Sequence, residues 1–333
     1  MDASHELRRL RADLCGLHRR LHRCPLLRRV LKRPGQSTDS SVPLNALTID
    51  VEDYFAAEAL SAAAPRADWA SLPSRVEANT ERVLALLERH DVRATFFVLG
   101  WVAERFPGLV RKIAAQGHEI ASHGYSHRVV YAQSPADFRE ETFKSRQLLQ
   151  DLSGQDVAGY RAATFSITRA SLWALDILAE AGFRYDSSIF PIHHDLYGIP
   201  GSPTEPYEVT TSAGRLIEIP LTTLKVGPLC LPASGGGAFR LLPRSLAMAM
   251  LAAVNRQGRP FVFYFHPWEI DPGQPRFDVG LRSRLRHYTN LGRFEARLEH
   301  LLERFRFGTM TDVFLPLERV SPHPVFAAAE LAS

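Results

Sequence analysis

Residues 43–55 read PLNALTIDVEDYF, and the end of this stretch separates two architectures. Its first part is an apolar run with β-branched residues, the composition of a buried strand. An open doubly wound sheet ordinarily follows its first strand with a glycine-rich turn that cradles a phosphate. Here the strand runs into Asp50, Glu52 and Asp53 with no glycine. Acids at the carboxyl end of a first strand suit the functional rim of a closed barrel.

The same alternation continues along the chain. RATFFVL (93–99), HEIAS (118–122), DVAGY (156–160), FRYDSSIF (183–190), RLIEIPLTTL (215–224) and RPFVFYFH (259–266) read as further strands. Helices are expected over 74–90, over 102–116 with Gly117 as the stop, and from a Ser134 cap to about 152. Others are expected from a Thr168 cap to Gly182, over 243–256 and over 291–305. Connections of this length imply parallel strands, and closure accommodates about seven of them. The fold class is therefore α/β, a barrel, with the open doubly wound sheet as the alternative.

With 333 residues of which 45% are hydrophobic, the chain can bury a large core. Cys15, Cys24 and Cys230 are too few and too scattered for a disulfide framework or a cysteine metal site. Any metal must be held by histidine and carboxylate. The net charge is +4, yet residues 1–40 alone carry a net of +6. The rest is close to neutral, which argues against a nucleic-acid partner. Leu7, Leu10, Leu14, Leu17 and Leu21 form a stripe among arginines, so residues 1–41 read as a basic extension. It is either flexible or an amphipathic helix that touches a membrane surface or an export assembly. The barrel domain is expected over 42–320, with a distinct C-terminal part from about 270, and 321–333 reads as a tail. No secretory signal pattern is evident, which makes the expected location cytoplasmic.

Chemistry-bearing residues collect at the ends of the expected strands. Asp50, Glu52 and Asp53 close the first, His123 and His127 follow HEIAS, Arg161 ends DVAGY, and His266 ends RPFVFYF. Two histidines and one carboxylate form a catalytic metal set, and zinc suits such ligands. In an extended segment Asp50 and Glu52 share a face, so one can bind a metal while the other serves as a base.

The order of an acid cluster, HGYSH, an arginine in YRAATFS and a strand-end YFHP resembles the polysaccharide deacetylase family with the NodB homology domain, whose motifs include TFDDG, HxxxH, RPPYG and LxH. DVEDYF, YDSSIFP, HDLYGIP, GGGAFR, FHPWEIDPGQPR and HYTNLGRFEARL further resemble the branch associated with exosortase and exopolysaccharide clusters. The resemblance implies a distorted (β/α)7 barrel and metal-dependent removal of N-acetyl groups from an amino-sugar polysaccharide or oligosaccharide. A divalent ion, zinc by preference, is the implied cofactor. Asp50 matches the base, Arg161 the arginine that orients it, His266 the acid, and His123 and His127 metal ligands. The metal carboxylate is Glu52 or Asp53, and the shared face favours Glu52. The backbone amide for the oxyanion falls near Ala163 to Phe165. The family's DW motif is missing, and Asp186 or Asp195 is expected to supply its acid beside His266.

Competing readings are hydrolysis of a small amide, imide or ureide by the same machinery, and a catalytically silent carbohydrate-binding protein. Tyr54, Phe55, Trp101, Tyr125, Tyr197 and Trp268 are the aromatics expected near a sugar.

Overall fold

The computed structural model describes residues 43–227, 229–315, 325–327 and 331. The basic extension and most of the tail lie outside the described residues. In chain order the strands are β1 (Leu44–Val51), β2 (Thr95–Val98), β3 (Glu119–Ser122), β4 (Gly159–Tyr160), β5 (Tyr185–Asp186), β6 (Tyr207–Thr211), β7 (Gly214–Glu218), β8 (Thr223–Val226), β9 (Leu229–Pro232), β10 (Val262–Phe265), β11 (Arg306–Gly308) and β12 (Val325–Ala327). The wall runs in the order β10-β1-β2-β3-β4-β5-β7, and every neighbouring pair in it is parallel. All seven carboxyl ends therefore open on the same side. No ladder joins β7 to β10; Thr222 spans the seam instead, its Oγ1 accepting from Val262 N–H at 2.8 Å. That side-chain link makes the barrel a distorted one, and the doubly wound alternative is set aside.

Strand alternation sorts the core into two layers. Ala46, Phe97, Ala121, Tyr185, Ile217 and Val262 point inward and fill the barrel. Leu47, Ile49, Val51, Phe96, Val98 and Ile120 point outward beneath the helices. Asp50 belongs to the inward set of β1, one step above Thr48. At the opposite end Met310 and Phe314 plug the interior, and Glu119 ties that plug down, accepting from Thr95 Oγ1 at 2.6 Å and from Thr311 Oγ1 at 2.6 Å.

The helices are α1 (Val76–Arg89), α2 (Gly100–Arg105), α3 (Pro107–Ala115), α4 (Pro135–Ser153), α5 (Trp173–Glu180), α6 (Gly236–Leu241), α7 (Arg244–Asn255), α8 (Leu281–Tyr288), α9 (Phe294–Arg304) and α10 (Met310–Phe314). The expected helix over 102–116 is two, because Pro107 has no N–H and disfavours helical geometry at Phe106. The helix expected from Thr168 begins as a 3-10 turn at Arg169, capped by Thr168, and becomes α-helical at Trp173. Ser134 caps α4 as expected, accepting from Asp137 N–H at 3.1 Å. The strand expected over 215–224 breaks near Pro220 into β7 and β8, which belong to different sheets. Among the described residues no helix is long and apolar enough to cross a membrane.

Candidate metal centre and active site

β1 ends at Val51, and Glu52 N–H turns back to Asp50 C=O at 3.0 Å. The turn brings Glu52 over the barrel mouth, where it meets His123, the first residue beyond β3, and His127. One ligand atom from each of these three lies within 4.8 Å of the others. Glu52 Oε2 is 2.6 Å from His127 Nε2 and 3.9 Å from His123 Nε2. The two histidines do not share a helix face. His127 lies on the loop after β3 with φ 56°, a left-handed backbone that folds its ring back toward His123.

The donor set fits a divalent cation on two observations. Glu52 Oε2 is buried and meets only the Nε2 atoms of His127 and His123, with no hydrogen bond from any other group, a cluster that is costly unless a positive charge, proton or metal, lies among its atoms. His123 Nδ1–H donates to the Arg161 carbonyl at 2.9 Å. This fixes the tautomer and leaves Nε2 as a lone pair toward the other ligands, the usual second-sphere arrangement of a metal-bound histidine. Burial pushes the His123 pKa down to about 4, so the ring is neutral and ready to ligate. Burial raises the Glu52 pKa, but His127, His266 and His123 outweigh it and hold the carboxyl well below the usual range.

The other oxygen of Glu52 has a partner that sequence reasoning missed. Trp268 Nε1–H donates to Glu52 Oε1 at 3.2 Å, so the indole dictates which oxygen faces the histidines. Trp268→Phe keeps a ring in the stack between His266 and His287 and removes only the donor. Its metal affinity is expected to fall about 10- to 100-fold, the range for second-sphere partners. Titration against a competing chelator checks this, and unchanged affinity would reduce Trp268 to packing.

Asp53 is placed elsewhere. Its carboxylate accepts from Tyr54 N–H, Arg75 N–H, Val76 N–H and Ser74 Oγ. It anchors the start of α1 and does not join the triad.

Asp50 Oδ1 receives Arg161 Nη1–H at 2.7 Å, and the guanidinium is fully buried. Arg161 also donates to Thr48 Oγ1 at 2.8 Å, Ser187 O at 3.2 Å and Ser187 Oγ at 3.2 Å, and it lies 4.0 Å over the Phe97 ring. Its geometry is held from four sides, which leaves Asp50 Oδ2 toward the mouth, 4.0 Å from His266 Nε2.

The expected acid beside His266 is corrected. His266 Nδ1 lies 3.2 Å from Glu269 Oε2, and Glu269 also takes the His266 N–H at 3.0 Å. Arg240 Nε in turn donates to Glu269 Oε1 at 2.7 Å. A Cβ on Gly236 would overlap the Glu269 carboxylate and one on Gly235 the Tyr264 ring, which accounts for the first two glycines of GGGAFR. The i, i+3 spacing of His266 and Glu269 matches a capping box and was the available signal; Arg240 had none. Burial works to lower the His266 pKa, but Glu52, Glu269 and Asp50 outweigh it and push it up to about 9. A cation at the triad would cancel the share owed to Glu52.

Neither residue expected as that acid reaches His266. Asp195 pairs with His194 and Arg282. Asp186 sits opposite Glu218 across β5 and β7, and Asp186 Oδ2 and Glu218 Oε2 are buried without a donor. Two carboxylates so placed cannot both ionise. Burial pushes the Asp186 carboxyl up to about 6, and burial together with Asp186 pushes Glu218 well above its usual range. The folded state thus holds a proton the unfolded chain releases, so stability is greatest below about pH 4 to 4.5 for this pair and falls as pH rises through about 6. Chemical denaturation should show the stability of wild type relative to Glu218→Gln declining from pH 4.5 to 7.5. A pH-independent difference would contradict the shared proton.

The arginine loop supplies amides. Thr164 and Phe165 have φ of 55° and 51°, costing about 1–2 kcal/mol each for residues with a Cβ. The resembled motif has glycine where Phe165 stands; here its ring packs on Tyr264, Tyr197 and Phe190 with centroids at 4.9, 5.8 and 6.1 Å. Phe165 and Ser166 N–H bond to the carbonyls of Ala162 and Ala163, which leaves the amides of Ala163 and Thr164, and of these two residues Thr164 lines the cavity at the triad. Of the six expected aromatics, Tyr197 and Trp268 line the cavity at the triad, whereas Tyr54 and Phe55 are core.

Residues 68–185 match the polysaccharide deacetylase family. The chain carries a polysaccharide deacetylase domain. Residues 187–315 match a domain of unknown function, DUF3473. It is similar to a peptidoglycan-N-acetylglucosamine deacetylase of Bacillus cereus, 40% identical over 22% of this chain and 27% of the relative. It is also similar to a peptidoglycan deacetylase of Helicobacter pylori, 31% identical over 36% of this chain and 39% of the relative. The aligned part is thus well under half of either relative. A solved Mycobacterium smegmatis protein assigned to the polysaccharide deacetylases has the same fold, with a TM-score of 0.59 over 88% of this chain and 96% of that one at 23% identity.

Proposed function

We propose that the chain is a metal-dependent hydrolase that removes N-acetyl groups from an amino-sugar polysaccharide in exopolysaccharide biosynthesis. The observation that carries this reading is the convergence of Glu52 Oε2 with His123 and His127 Nε2 in a buried cluster, with Asp50 and His266 lining the same cavity. The motif combination shared with the exopolysaccharide-associated branch supports the setting.

Glu52, His123 and His127 would hold the cation, and zinc suits two imidazoles and a carboxylate. When bound, the ion supplies Lewis acidity toward the acetamide carbonyl. Asp50, held by Arg161, takes the proton of the attacking water. The amide of Thr164 or Ala163 donates to the oxyanion of the tetrahedral intermediate. His266, steadied by Glu269, protonates the amine as the C–N bond breaks. Acetate and a free amino sugar leave.

A small amide, imide or ureide could use the same groups. The cavity of about 190 Å³ at the triad shares seven lining residues with a second of about 590 Å³, and this continuity favours a chain-like substrate over an enclosed small molecule. Metal analysis together with acetate release from N-acetylated oligosaccharides, before and after chelation, tests the reading. Release that chelation abolishes and zinc restores is expected. Metal-loaded protein that hydrolyses an imide or ureide and no N-acetylated sugar would transfer it to the small-molecule class.

A further inference from the structure

The second cavity is walled chiefly by the segment that matches the domain of unknown function. Tyr197, Leu241, Arg282 and Arg286 line it, and Arg286 and Tyr197 also line the cavity at the triad. Arg286 therefore stands at the junction. The charged side chains along the second cavity are Glu58, Arg282 and Arg286, and their partners differ. Arg282 is paired with Asp195 at 3.3 Å. Glu58 accepts from Ser61 Oγ at 3.4 Å. The Arg286 guanidinium has no carboxylate within 4.0 Å among the described residues; its polar neighbour is His194 Nε2 at 3.5 Å. That histidine is stacked on Tyr197 with centroids 3.8 Å apart, nearly parallel, and burial lowers its pKa, keeping it neutral.

Arg286 is also fixed from behind. Arg240 Nη1 and Nη2 donate to the carbonyls of His287 and Arg286 at 2.9 and 3.0 Å, holding the end of α8. An arginine anchored by its backbone, open at its guanidinium and flanked by a flat ring pair has the geometry of a carboxylate fork beside a sugar platform. We propose that this segment forms a subsite for an acidic sugar: a residue bearing a carboxylate, next to the N-acetylated residue at the triad, packs beside the His194–Tyr197 ring pair and pairs with Arg286. The substrate class is then a polymer in which uronic acid and N-acetylated amino sugar are neighbours. The inference rests on the deacetylase reading and narrows it.

The test uses full-length protein freed of metal by chelation, titrated calorimetrically at low salt with two tetrasaccharides. One alternates glucuronate with N-acetylglucosamine; the other is neutral and holds N-acetylglucosamine alone. The acidic ligand is expected to bind at least about tenfold tighter, with the preference shrinking as salt rises. Arg286→Ala should bring the acidic-to-neutral ratio close to one and Arg286→Lys should restore part of it, each with a wild-type melting curve. Equal affinities in the wild type, binding of neither ligand, or a ratio that survives Arg286→Ala overturns the proposal. Failure of the deacetylase reading shows separately, as zinc-loaded wild type that releases acetate from neither sugar.

Discussion

Asp50→Asn is expected to lower kcat by about 10² to 10⁴, the usual contribution of a general base, while bound metal stays stoichiometric. The amide matches the carboxylate in shape and can still accept from Arg161, but it cannot take a proton from water. The substitution has a second effect. Arg161 is fully buried, and its other partners are the neutral groups of Thr48 and Ser187. Removing its counter-charge leaves a buried cation, a change that costs about 3–5 kcal/mol when a buried pair is broken. A clear fall in melting temperature should accompany the lost turnover, so rates must be compared at a temperature where both proteins are folded. Near-normal kcat in a folded, metal-loaded variant would remove Asp50 from the base role. Loss of metal in this variant, with metal kept in Glu52→Gln, would exchange the two acids.

His127→Ala is expected to lose the metal altogether and, with it, measurable turnover. Three protein ligands converge, and two do not hold a catalytic ion against dilution. Some stability is lost as well, because the His127 ring is buried beside Trp69 and His123 and is the nearest partner of the Glu52 carboxylate. Glu52→Gln should lose metal as well, and Trp268 would then face an amide instead of a carboxylate. Elemental analysis after gel filtration checks both. Stoichiometric metal in His127→Ala would overturn the triad, and no variant elsewhere would rescue it.

Much of this site was legible along the chain because strands obey simple periodicity. In β1, alternation puts Thr48 and Asp50 inward and Leu47, Ile49 and Val51 outward. Parallel strands make every carboxyl end open on one side, so Asp50, His123, Arg161 and His266 had to gather there once the alternating elements were recognised. The choice of Glu52 over Asp53 was argued from strand periodicity, but β1 ends at Val51 and it is a turn that carries Glu52 to the mouth while Asp53 anchors α1.

The partners of those residues were a different matter. Arg240, 29 residues before Glu269 along the chain, reaches its carboxylate from a helix after the β8–β9 hairpin. Asp186 looked as eligible as Asp195 until β5 and β7 were seen to place it against Glu218. Trp268 read as an aromatic near a sugar, and only the fold aims its indole N–H at Glu52. Residue type and local period determine which face a side chain takes, because they act within a strand or a turn. Which groups then lie within hydrogen-bond reach depends on crossover lengths and strand stagger, and a shift of one residue, about 3.3 Å, is enough to exchange one partner for another.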